Sequence, residues 1–231
     1  ASANTALGVQ ALQSNTTGER GVAVGGYALQ SNTTGADNTA VGANSLAAVT
    51  TASNNTAVGR NALKLSSASN NTAVGKDALT ANTTGTKNVA MGANALDANT
   101  TGDANIAIGR DALGANTTAD ENTAVGADTL LLNTTGTKNV AVGAYALDAN
   151  TTADHNVAVG YAALSSNTTG SPNTALGTYT LVLNSTGVRN TAVGYYALYA
   201  NTTGTNNTAL GESTLSSNTT GSENTAVGRK V

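Results

Sequence analysis

Asparagine, a short β-branched segment, a glycine, a leucine and then Asn-Thr-Thr-Gly return about every seventeen residues. That recurrence limits the fold more than any other property of the chain. Units begin at Asn4, Gly21, Asn38, Asn55, Asn71, Asn88, Asn105, Asn122, Asn139, Asn156, Asn173, Asn190, Asn207 and Asn224. All have seventeen residues except 55–70, which has sixteen; thirteen are complete and the fourteenth, 224–231, is partial. A residue that returns in every unit occupies an environment that every unit recreates, as stacked repeat architectures do. Ala at the third position (Ala6 to Ala226) and Gly at the fifth (Gly8 to Gly228) never vary, and Leu at the ninth (Leu12 to Leu215) is present in every full unit. The sixth, seventh, tenth, sixteenth and seventeenth positions accept almost anything, which is how solvated sites behave.

A seventeen-residue unit is too short for a helical hairpin, and its β-branched residues and Gly/Asn punctuation argue against helix. The fold class expected is all-β: a parallel β-solenoid, or β-roll, with one 17-residue coil per repeat. The whole chain, 1–231, reads as a single repeat array and, because it stops within a unit, as a segment of a longer fibre. Two short strands are expected in each coil. "TAV" is the first, closed by a glycine free to take positive φ, and "AL" with the next two residues is the second. "NTTG" then turns the chain. At about 4.8 Å per rung, fourteen coils would build about 65 Å of rod. Stacking sets each Asn over its counterpart, so amide ladders are expected along Asn122, Asn139 and Asn156 and along Asn133, Asn150 and Asn167. The aberrant turns "VTTASN" (49–54) and "LSSASN" (65–70) lie in adjacent units and predict a local irregularity.

Composition explains why one chain is not expected to suffice. Aromatic residues make up 3% of the chain, all tyrosine, and Phe, Trp and Cys are absent, so the core must be thin. Side chains alternate along a strand, placing positions two and four on one face and the invariant Ala on the other; neither face carries charge. A strand uncharged on both sides is usually covered on both. The oligomer-facing or buried strand is therefore expected at Ala57, Val58, Ala124, Val125, Ala141, Val142, Ala192 and Val193, with identical chains associating in parallel. A net charge of −3 opposes a nucleic-acid partner. No apolar run approaches the roughly twenty residues that span a bilayer.

"NTAVG" and its variants "NVAVG" and "NIAIG" resemble the repeat of trimeric autotransporter adhesin heads. The longer unit with "ALxxNTTG" is similar to arrays in bacterial surface and phage tail-fibre proteins. The resemblance covers essentially the whole chain, although the unit is longer here. It implies a left-handed β-roll, three chains about one axis, an extracellular, cell-surface or virion location, and attachment to a host-cell or surface receptor.

No constellation for catalysis is found, and no cofactor or metal is expected. His155 is the sole histidine and lacks partners at ligand spacing, the acidic residues are scattered, and the Gly-Asp pattern of calcium-binding rolls is missing. The Asn-Thr-Thr turn, Asn-Ser-Thr at Asn184, fits the N-x-[ST] sequon in eleven units, Asn15 to Asn218, and turn chemistry explains it without glycans. Tyr161, Tyr179, Tyr195, Tyr196 and Tyr199 cluster late and form the candidate recognition surface, since exposed Tyr offers contact area at low entropy cost. The leading expectation is a non-enzymatic trimeric fibre for adhesion. The alternatives are a filament subunit that stacks end to end, a tail-fibre shaft, and an ice-binding solenoid.

Overall fold

A computed structural model describes residues 3–231. The chain forms two compact units, one ending at Ala119 and the other spanning Asp120–Val231. The first holds β1 (Thr5–Leu7), β2 (Val22–Val24), β3 (Thr39–Val41), β4 (Thr56–Val58), β5 (Thr72–Val74), β6 (Val89–Met91) and β7 (Ile106–Ile108). The second holds β8 (Thr123–Val125), β9 (Val140–Val142), β10 (Val157–Val159), β11 (Thr174–Leu176), β12 (Thr191–Val193), β13 (Thr208–Leu210) and β14 (Thr225–Val227). Among the described residues there is no helix. Within each unit every strand pairs in parallel with the next, and alanine stands over alanine, as in Ala23↔Ala40 and Ala141↔Ala158. The architecture is a parallel β-solenoid with one coil per repeat.

Each coil has one strand, not two. From the fifth to the eleventh position the chain turns, because three of these residues take positive φ: in the coil 139–155 these are Gly143 (φ 125), Tyr145 (φ 60) and Leu147 (φ 52). Alternating signs of φ prevent the "AL" segment from extending. Its backbone nonetheless bonds to neighbouring rungs: Tyr145 N–H donates to Ala127 O (3.1 Å), Leu147 N–H to Ala163 O (3.0 Å) and Ala149 N–H to Ser165 O (3.1 Å). Two bonds inside the coil tighten the arc, from Ala146 N–H to Gly143 O and from Asn150 N–H to Leu147 O.

The ninth-position leucine decides the balance at this arc. A left-handed L-residue costs about 1–2 kcal/mol, whereas burying a leucine fully contributes about 1.5–3 kcal/mol. Eleven of these leucines, Leu29 to Leu198, are completely buried. Asn or Gly would fit the backbone at less cost but would leave the coil hollow. The strand alanines from Ala23 to Ala209 are likewise wholly buried, whereas Ala6 in the first coil is exposed. From β2 to β13 the Ala-bearing side of the strand is thus covered within the chain itself.

Fifth-position glycine is required by distance as well as by φ. A methyl group on Gly160 would lie 2.5 Å from the carbonyl carbon and oxygen of Gly177 on the next rung. No rotamer change can relieve contact with backbone. At the seventeenth position most coils again turn left-handed, whereas Pro172, whose ring fixes φ negative, follows a cis peptide bond.

The expected irregularity is confined to the turns. In the sixteen-residue unit the strand register continues, Ala57 standing over Ala73. The twelfth position changes, from Asn to the buried Val49 and then to the buried Ser66. Without an Asn on the next rung, Asn32 Oδ1 is left with no donor.

Candidate functional site

Three features are candidates for function: the outward strand face, the tyrosines of the second unit, and the asparagines that shape the turns. On the outward face the second- and fourth-position side chains project away from the core. Ala57, Ala124, Ala141 and Ala192 are fully buried, whereas Val58 is 36% exposed and Val125, Val142 and Val193 are half-buried. Ile106, Ile108, Val140, Val159, Leu176 and Met91 are all exposed on this face. No second- or fourth-position residue is charged in any of the fourteen units. Each unit therefore presents a stripe of Val, Ile, Leu, Met and Thr on a sheet of unbroken register. Contiguous apolar surface of this kind marks a contact site more often than a bare exterior.

The tyrosines touch one another. Tyr145 meets Tyr161 at a centroid distance of 5.7 Å and Tyr161 meets Tyr179 at 5.4 Å, with ring planes 81° and 83° apart. Tyr179 continues to Tyr196 (5.1 Å), which packs on both Tyr195 (4.4 Å) and Tyr199 (4.8 Å). Tyr145, Tyr161 and Tyr195 are exposed and the others half-exposed. Desolvation within the stack raises the Tyr179 and Tyr196 phenols above their ordinary range. Tyr145, Tyr179 and Tyr196 occupy the left-handed seventh position. In the first unit that position holds Gln10 and Tyr27 and then Asn44, Asn61, Asp77, Asn94 and Asp111, the last five being residue types that tolerate such a backbone best.

In most coils two asparagine columns converge on one carbonyl, although Asn156 Nδ2 is buried without a partner. In the first column Asn139 N–H donates to Asn122 Oδ1 (3.0 Å), Asn139 Nδ2 to the same oxygen (3.1 Å), and Asn156 N–H to Asn139 Oδ1 (3.0 Å). In the second, Asn150 Nδ2 donates to Asn133 Oδ1 (2.8 Å) and Asn167 Nδ2 to Asn150 Oδ1 (3.2 Å). Both columns reach the fifteenth-position oxygen: Asn139 Nδ2 and Asn150 Nδ2 lie 2.8 Å and 3.1 Å from Ala153 O. These side chains are buried. The column is internal scaffolding, and the sequon nitrogens it uses are turned away from solvent. The first NTT threonine is also engaged, as Thr134 Oγ1 donates to Thr151 O on the next rung (3.0 Å).

Residues that the sequence pattern marks as merely solvated contribute bonds of their own. At several sixteenth positions a backbone N–H is capped by the side chain one rung on. Asp103 Oδ1 accepts from Thr86 N–H, Asp154 Oδ1 from Thr137 N–H, and Ser53 Oγ from Ala36 N–H. The bias toward Asp and Ser there was the available signal. Arg20 reaches Asp37 on the next rung and holds that carboxyl below the usual range through hydrogen bonding. Burial raises Asp97 and Asp148 above the ordinary carboxylate range, and Asp148 Oδ1 has no hydrogen-bond partner.

His155 stands at a left-handed seventeenth position and donates its backbone N–H to Thr137 O. Among the described residues no three His, Cys, Asp or Glu side chains gather as metal ligands. No described helix is long and apolar enough to cross a membrane. No family model matches the chain, and no curated protein or solved structure matches it.

Proposed function

We propose that this protein is a non-enzymatic structural element of an extracellular attachment fibre, in which identical chains associate in parallel through the outward strand face. The uncharged stripe formed by the second and fourth positions carries this reading. Its repeat along each unit matches a second copy rung for rung, and burying it removes from water a regular apolar surface that the coil leaves open. The choice of three chains, the surface location and the role in attachment rest on the resemblance of "NTAVG" to adhesin-head and tail-fibre repeats. An ice-binding reading is less well supported, because Val22, Val89, Ile106, Val140 and Val157 interrupt the second-position threonines.

Sedimentation velocity tests the proposal. A single species of three chain masses is expected across concentrations. Val142→Lys combined with Val193→Lys, which places cations on the stripe without touching the Ala–Leu core, should return it to monomer. A monomer in the parent chain, or a broad distribution of polymers, would refute it; the second result would favour end-to-end stacking.

A further inference from the structure

We propose that the tyrosine strip of the second unit is a docking surface for a proline-rich segment of a partner protein in the polyproline II conformation. The strip goes beyond the fibre reading and is independent of it, lying on the sixth, seventh and tenth positions of the turn and not on the strand face.

Spacing is the first argument. Tyr145 and Tyr179 share the seventh position two rungs apart, and Tyr161 and Tyr195 share the sixth, also two rungs apart. Two rungs span about 9.6 Å, and one turn of polyproline II, three residues, rises about 9.3 Å. A left-handed proline helix laid along the rungs would therefore meet an equivalent ring once per turn. From the Tyr145 rung to the Tyr196 rung is about 14 Å, the length of about five such residues.

Ring orientation selects this partner over a flat one. A polysaccharide stacks on coplanar aromatic faces, but no neighbouring pair in the strip is coplanar: Tyr145, Tyr161 and Tyr179 stand nearly perpendicular in turn, at 81° and 83°, Tyr195 and Tyr196 are 74° apart, and Tyr196 is tilted by 43° to Tyr179 and 40° to Tyr199. Perpendicular rings make ridges and clefts, which suit the ridged side of a proline helix. The phenol hydroxyls supply donors, and polyproline II, having no internal hydrogen bonds, presents free carbonyl acceptors. Charge agrees: no Lys or Arg occupies these three positions in the rungs from Asn139 to Asn206, and the nearest ionisable groups on the same columns, Asp128, Asp148 and Glu212, are acidic. An anionic partner is disfavoured and a neutral or basic one accepted.

Backbone cost supplies an independent argument. Tyr145, Tyr179 and Tyr196 hold φ values of 60°, 57° and 57°, where a bulky residue is an outlier. Gln, Asn, Asp, Ala and Ser serve the same left-handed position in other coils, so nothing in the fold requires a ring there. Tyr27 takes it alone in the first unit, whereas in the second unit the rings are gathered into one contacting strip, and strained residues retained without a structural need point to function.

The chain reports on its own site, because it has no Trp and only seven Tyr, six of which form the strip. Titrating the full chain with a decaproline peptide should change tyrosine fluorescence saturably. Tyr179→Ala combined with Tyr196→Ala should weaken binding about tenfold or more, the equivalent of losing about 1.4 kcal/mol. Tyr27→Ala, in the first unit, should leave affinity unchanged. Should the double variant lose its β circular dichroism, the single Tyr161→Ala, at an exposed ring, takes its place with the same expectation of weakened binding. Absence of saturation, equal affinity in parent and strip variants, or binding of cellohexaose with no response to decaproline would each overturn the proposal.

Discussion

Replacing Gly25 or Gly26 with alanine should have opposite effects, although the two residues are adjacent. Gly25 holds φ +131, and an added Cβ would lie 2.7 Å from both the carbonyl carbon and oxygen of Gly42 and 3.1 Å from Ala43 N. The backbone conformation alone disfavours alanine by about 1–3 kcal/mol. Relief of the clash requires two hydrogen-bonded rungs to separate, since Gly42 N–H donates to Val24 O at 2.7 Å, and overpacking of this kind adds about 1–3 kcal/mol. Together Gly25→Ala should cost about 2–6 kcal/mol. At Gly26 a Cβ meets nothing within 4 Å and φ is not positive, so Gly26→Ala should stabilise by about 0.4–1 kcal/mol through the unfolded chain. Urea denaturation followed at a β circular dichroism band gives the midpoints. Amide exchange in residues 21–37 gives the local free energy, which a repeat array calls for because its rungs need not unfold together. Equal midpoints for the two variants, or protection at Gly25→Ala matching the parent, would refute the claim that rung spacing selects glycine at the fifth position.

Two further perturbations test the interior. Asn201 Nδ2 donates to Asn184 Oδ1 (2.9 Å) and Gly204 O (3.1 Å), and its own Oδ1 accepts from Asn218 Nδ2 (3.2 Å). Asn201→Ala leaves a buried acceptor on Asn184 without its donor and should cost about 2–4 kcal/mol, seen as faster amide exchange in the rungs on either side; unchanged exchange would argue that the column contributes nothing. Asp148 is pushed above the ordinary carboxylate range by burial, so ionisation opposes folding. The stability it allows is full below the unfolded pKa, about 3.9, and is lost as pH rises through the higher folded value. Asp148→Asn should therefore be more stable than the parent at neutral pH, with the difference vanishing in acid; a pH-independent difference would place the effect elsewhere.

Much of the solenoid was legible in the sequence because repetition is itself geometric information. Invariant Ala, Gly and Leu in every unit can only mean that each rung meets the same neighbours, and the register Ala over Ala follows. The second strand was misread for a physical reason. Hydrophobic pattern reports which side chains are buried, and the ninth-position leucines are, but it says nothing about the sign of φ. The sign was written one residue away from the pattern, in the Asn and Asp of the seventh position in the first unit. The sixteenth-position caps escaped notice because each depends on a donor and an acceptor seventeen residues apart, and either residue alone looks like ordinary surface. For the tyrosines, clustering was visible in the sequence. That their rings form one connected strip depends on which rung and which corner each occupies, which only coordinates give.

The caps give the array a syntax. Because the amide at Thr86 is satisfied by Asp103 and that at Thr137 by Asp154, a coil at such a joint carries part of the grammar of the coil before it. Transposing two units, or duplicating one in place, would preserve every invariant letter and still set threonine against threonine or alanine against valine at these joints. The order of the variable letters is thus a structural property of the molecule, and shuffled arrays of the same units should assemble less well than the natural reading order.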